Sequence, residues 1–143
     1  MQQQYALSIA LYDAIRDAAA NVAKIKSMRE QLKDRRARAT VELAASIDSL
    51  DKTLSALAAP TTEPSFGAPV TGPDTFAGAQ ANMLAVLDVL QGADTPPTSQ
   101  AVAAEADQLK RYGVLKGMLA EIEKTQLPAL NTLLQAAGLQ RVE

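Results

Sequence analysis

The two carboxylates best spaced for chemistry are Asp13 and Asp17, four residues apart and so on one face of any helix that carries them. Glycoside hydrolysis uses such a pair, one group as acid and the other as base or nucleophile, across a cleft of defined width. Two carboxylates on one exposed turn have no opposing wall to hold a sugar, so this spacing reads as a solvated face. The remaining inventory is thinner still. The 143 residues include no His and no Cys, which removes Ser-His and Cys-His nucleophile pairs, the usual zinc ligand sets, disulfides and histidine phosphotransfer. Carboxylate-bridged di-metal bundles are removed too, because they need Glu-x-x-His. The expectation is a chain with no catalytic, cofactor-binding or metal-binding residue.

Seven of the 14 basic residues lie between Lys24 and Arg38, a run that invites a nucleic-acid or anionic-surface reading. Glu30 and Asp34 interrupt it, with Lys26–Glu30 and Asp34–Arg38 at the i,i+4 spacing of surface ion pairs. No aromatic side chain is interleaved to stack bases, and a net charge of −2 provides no global attraction to phosphate. The run is therefore expected to be a solvated helix end, with no nucleic acid bound. Gly113 and Gly117 form a small-xxx-small pair, which lets two helix backbones approach closely. With Lys110, Arg111, Lys116 and Glu121 around it, the pair is expected to sit at a tight crossing inside the fold in preference to a dimer contact. Tyr5, Tyr12 and Tyr112 are expected at the edge of the core, ring inward and hydroxyl outward.

These positions need helices to hold them. Alanine (28 residues) and leucine (18) dominate, against five aromatic residues in all, which favours helix over strand. Helix 1 is predicted over about 3–34 from the seam Leu11, Ile15, Ala18, Val22, Ile25, Leu32. Thr40 is placed to cap helix 2, about 40–59, whose Leu43, Ile47, Leu50, Leu54 and Leu57 form the least interrupted stripe in the chain. That stripe is expected at the centre of the core, facing Ile15, Val22 and Ile25. Residues 60–73 hold four of the seven prolines and read as an extended loop anchored by Phe66 and Val70. At about 3.3 Å per residue that loop reaches about 46 Å, which leaves open whether helix 3 reverses direction after helix 2. Helix 3 is predicted from Asp74 to about 91, stopped by Gly92. The last element, about 98–137, is capped by Thr95 or Thr98, interrupted at Pro128 and ended before Gly138. Together these predict an all-α fold of one domain, residues 1–143: a four-helix bundle, mostly antiparallel, with a long Pro-rich loop between helices 2 and 3 and a Pro-kinked last helix. A second arrangement joins helices 1 and 2 into one rod of a self-associating coiled coil. No apolar run reaches the ~20 residues of a membrane span, and Met1-Gln2-Gln3-Gln4-Tyr5 lacks the basic and apolar regions of a secretory signal.

Several segments carry a likeness that composition does not supply. They are Leu11-Tyr12-Asp13-Ala14-Ile15 leading into Lys24-Ile25-Lys26-Ser27-Met28-Arg29-Glu30-Gln31-Leu32, then Ala93-Asp94-Thr95-Pro96-Pro97-Thr98, and Leu127-Pro128-Ala129-Leu130-Asn131-Thr132-Leu133-Leu134 with Gly138. In this order they resemble the C-terminal helical region of large bacterial proteins that contain a sortilin-type β-propeller with bacterial neuraminidase-type repeats, often labelled glycosyl hydrolase. The resemblance implies an extracytoplasmic parent, secreted or periplasmic, in which any hydrolase or ligand-binding function belongs to the propeller. It carries no catalytic residue onto this chain, and it makes that propeller the expected partner of a non-catalytic accessory domain. The competing expectation is a hydrolase domain built on the Asp13/Asp17 pair.

Overall fold

The computed structural model describes residues 2–58, 74–92 and 94–143, and among them the chain is all-helical, with no strand and four helices packed together. The elements are α1 (Gln2–Arg36), α2 (Val41–Ala58), α3 (Phe76–Gln91), α4 (Ser99–Glu121), a π-helical turn (Ile122–Gln126) and α5 (Leu127–Ala136). Phe66, Val70 and the rest of the expected 60–73 loop lie outside the described residues.

Threonine sets three of the helix starts by the same chemistry. The Thr40 hydroxyl accepts from the Leu43 amide at 3.4 Å, Thr75 from Gly78 at 3.0 Å and Thr98 from Ala101 at 3.2 Å, each supplying a partner for an orphan amide of the first turn. Helix 3 thus starts at Phe76 and not at Asp74, because Thr75, extended at φ −128°, is the cap. Between α1 and α2 the Arg38 and Ala39 amides turn back onto the Arg35 and Arg36 carbonyls, so the continuous rod is not formed. Over 98–137 the helix runs from α4 through the π-helical turn into α5. Ahead of Pro128, which has no N–H to give, the ladder widens by one residue and the Leu127 amide reaches the Ile122 carbonyl. The Thr125 hydroxyl donates to the Glu121 carbonyl at 2.7 Å within that widened turn.

Cross-helix bonds fix the directions. Gln4 Nε2 donates to the Leu90 carbonyl at 2.5 Å, and Tyr112 of α4 bridges Asn21 of α1 and Phe76 at the start of α3. The end of α3 is therefore beside the start of α1, and α3 runs antiparallel to it. Arg29–Asp51 and Arg36–Asp48 make α2 antiparallel to α1 as well, over the other half of its length. Asp17–Lys116 and Lys24–Glu123 advance together, so α4 and its continuation run parallel to α1. At about 1.5 Å per residue the 35 residues of α1 span about 52 Å, and the 18 of α2 plus the 16 of α3 span nearly the same. So α2 and α3 follow one another along α1, pointing the same way. One half packs α1, α2 and α5; the other packs α1, α3 and α4.

The stripe that serves both halves belongs to α1. Leu11, Ala18, Ile25 and Leu32, at seven-residue intervals, are fully buried together with Met28. Ile15 and Val22, expected in that seam, are only half-buried. The α2 stripe Leu43, Ile47, Leu50, Leu54, Leu57 is buried as expected, and of its three expected partners on α1 Val22 and Ile25 share a groove with Ile47, whereas Ile15 does not. The two Arg–Asp bridges set Leu50 beside the turns of α1 between Arg29 and Arg36, and so away from Ile15. Beyond α5, Gly138 takes φ +76° and the Leu139 amide reaches back to the Leu134 carbonyl at 2.8 Å, a Schellman-type stop. The tail then returns to the core. Asn131 bonds both the amide and the carbonyl of Val142, Gln31 does the same for Glu143, and Arg35 donates to the Gln140 and Arg141 carbonyls. Val142 is buried at 1% exposure, in a segment where the sequence pattern placed nothing.

Leu50→Ala is expected to lower unfolding stability by about 2–5 kcal/mol, the usual range for a buried leucine, in a urea titration followed by circular dichroism. Arg36→Ala, which removes only the exposed bridge to Asp48, should leave the midpoint close to that of the parent chain.

Candidate functional site

The Asp13/Asp17 pair does not act as a pair. Asp13 is exposed, whereas Asp17 accepts the Tyr112 hydroxyl and lies 3.2 Å from Lys116 Nζ. Asn21 Nδ2 donates to the same Tyr112 oxygen at 2.9 Å, Lys116 lies 5.7 Å from the Tyr112 ring centre, and Phe76 meets that ring edge-on at 6.0 Å. The hydrogen bond from Tyr112, reinforced by Lys116, holds the Asp17 carboxyl below its ordinary value, so it is ionised at neutral pH. Burial first, then the bond to Asp17, pushes the Tyr112 phenol far above its ordinary value. A phenol kept protonated and a carboxylate already bonded form a structural node; neither is a free general acid or base. The node joins α1, α3 and α4 where the two halves of the molecule meet. Tyr112 is thus buried at 4% exposure, while Tyr5 and Tyr12, expected at the core edge, stand out at 70% and 56%.

The basic run is largely neutralised in place. Lys24 pairs with Glu123, Arg29 with Asp51, Arg36 with Asp48, and Arg35 and Arg38 with Asp34. The i,i+4 spacing of Asp34 and Arg38 yields a 3.8 Å pair, whereas Lys26 and Glu30 form none among the described residues. The bond from Asp51 raises the Arg29 guanidinium above its already high value. The Arg29–Asp51 and Arg36–Asp48 bridges line a groove of about 360 Å³ between α1 and α2, floored by Val22, Ile25 and Ile47. Two of its four cations, Arg29 and Arg36, are committed to carboxylates of α2, which fixes helix register, while Lys26 and Lys33 line it without an ion pair among the described residues.

Gly113 and Gly117 do not lie at an internal crossing. A methyl group added at either would meet nothing within 4 Å, so the small-xxx-small face of α4 is turned outward. Beside it Val114 is 59% and Met118 51% exposed, and together with Ala56 and Leu57 of α2 they line an open groove of about 740 Å³. A third apolar feature runs along the first half of α1, where Tyr5, Ile9 and Tyr12 lie at i, i+4 and i+7, with Arg16 packed 6.0 Å over the Tyr12 ring. Their helical spacing was legible, but their outward direction was not, since a stripe shows its period and not its partner. Sequence reasoning also missed Glu105, buried at 6% exposure on the inner side of α4, whose carboxyl is pushed up by that burial. Among the described residues no group of His, Cys, Asp and Glu is disposed to hold a metal ion, and no helix is long and apolar enough to cross a membrane.

No protein-family model matches the chain, and neither a curated protein nor a solved structure matches it closely enough to identify a relative.

Because the folded protein holds the Glu105 pKa above its reference of 4.5, ionisation opposes folding, and the loss of stability grows as pH rises from that reference through the raised value. Glu105→Gln should therefore raise the Tm at pH 7 and lose its advantage below about pH 4.5, measured by thermal melts across pH. Gly113→Ala should raise stability by about 0.5–1 kcal/mol in dilute solution, because helix propensity improves and no neighbour is displaced.

Proposed function

We propose that this chain is a non-catalytic helical accessory module that binds another protein domain through the outward stripe of α1. The observation that carries the reading is Tyr5, Ile9 and Tyr12, three large apolar residues at helical spacing, all turned to solvent in a chain whose other large tyrosine is buried. Tyrosine gives much contact area for little conformational entropy, and a protein with only five aromatic residues that exposes two of them on one stripe has a surface suited to a partner. On the likeness to propeller tails, the partner is the β-propeller of the same extracytoplasmic parent, and any glycoside chemistry belongs to that propeller. The scaffold on this reading is a mostly antiparallel four-helix bundle in which α1 faces α2 and α3 in turn, with a last rod that bends at Pro128. Catalysis is left out of the proposal because Asp17, the better-placed half of the acidic pair, is already bonded to Tyr112 and Lys116.

Reading the coding sequence upstream of Met1 and expressing any propeller found there supplies the test. Binding of that domain by this chain in isothermal titration, weakened at least about tenfold by Tyr5→Ser with Tyr12→Ser, is the expected result. No heat and no co-migration at high micromolar concentration, or binding indifferent to the two tyrosines, would overturn it.

A further inference from the structure

We infer that the α2–α4 groove is a homodimer contact, in which a second copy of this chain lays its own α4 antiparallel across the first. The face concerned consists of Lys110, Gly113, Val114, Gly117, Met118 and Glu121, the i, i+3, i+4, i+7, i+8, i+11 positions of one side of α4, all exposed. It is apolar at its centre and carries one opposite charge at each end. Neither Lys110 nor Glu121 has an ion pair among the described residues, although Arg111 and Lys116 next to them do.

The sequence of this face is complementary to its own reverse. In an antiparallel pair with a two-fold axis at the midpoint between 115 and 116, Val114 of each copy falls opposite Gly117 of the other. The same register sets Gly113 opposite Met118 and Lys110 opposite Glu121. Every bulky side chain then meets a glycine, and both charged ends meet their opposites, each contact occurring twice by symmetry. A parallel pairing in register would instead set Met118 on Met118 and Lys110 on Lys110, with like charges face to face. The glycines let the two axes approach to about 8 Å, and the open space found around each is what such an approach requires. Ala56 and Leu57 widen the apolar floor beside α4, so that the second helix is received in a groove and not on a single ridge. Beyond Glu121 the π-turn changes the helical register, so the complementary stretch ends where α4 does. This surface is separate from the α1 stripe and does not depend on what binds there.

A charge-exchange cycle read by sedimentation tests the inference on the intact chain. The parent chain is expected to pass from its 15.1 kDa protomer to twice that mass with rising concentration. Lys110→Glu alone and Glu121→Lys alone, each of which sets like charges opposite one another at both ends, should weaken the dimer at least about tenfold. The double exchange Lys110→Glu with Glu121→Lys should restore it. Met118→Ser, at a solvent-facing position that folding does not need, should weaken it as well, with the helical circular dichroism unchanged. Tyr5→Ser with Tyr12→Ser should leave the dimer intact, which keeps this result apart from the fate of the α1 surface. A protomer mass at every concentration, a dimer indifferent to the single exchanges, or a double exchange that fails to recover association would overturn it.

Discussion

One stripe of α1 has to be covered along the whole of a 35-residue helix, and every other element is placed by that requirement. Leu11, Ala18, Ile25, Met28 and Leu32 are all at 0% exposure, and neither α2 nor α3, at about 27 and about 24 Å, spans the roughly 32 Å they occupy. Two shorter helices do so in succession, α3 over the first half and α2 over the second, and the rod formed by α4, the π-turn and α5 closes the remaining side. Burial of apolar area drives this, at about 25 cal/mol per Å², and it sets no direction by itself. Direction comes from connection length: the short turn after Arg36 can only fold α2 back along α1.

The polar groups then fix register within what burial allows. Arg29–Asp51 and Arg36–Asp48 join α1 to α2, while Asp17, Asn21, Tyr112 and Lys116 join α1 to α4 at the seam between the halves. The first two are solvent-exposed bridges of small energetic weight, whereas the Tyr112 node is partly buried and fully partnered, so loss of one member strands the others. The tail works in the same way. Its last four residues have too few apolar atoms to hold themselves down, but Gln31, Arg35 and Asn131 satisfy their backbone, and Val142 enters the core.

With every buried stripe covered, what stays uncovered becomes informative. Tyr5, Ile9 and Tyr12 on α1 and Gly113, Val114, Gly117 and Met118 on α4 are two of the places where this molecule shows large or closely packable apolar surface to water, beside the exposed Val41, Leu84, Val89 and Leu133. These two lie on different helices, so one can engage a dissimilar domain while the other engages a copy of the same chain.

The sequence alone was sufficient for the all-helical class, for the α2 stripe from Leu43 to Leu57, for the threonine cap at 40 and for the stop at Gly138, because each depends on neighbours within a few positions; between Thr95 and Thr98 as the cap of α4 the structure chose Thr98. The sequence also set Asp13 and Asp17 on one turn of one helix, but not the bonds of Asp17 to Tyr112 and Lys116. Only the tertiary structure decided which stripe is central, that Met28 and not Val22 fills it, that Gly113 and Gly117 face outward, and that the tail is pinned by Asn131. Those outcomes depend on which helix covers which. Periodicity reports that a helix has an apolar side, but the partner of that side is selected by lengths, directions, ion pairs and hydrogen bonds between residues up to 112 positions apart.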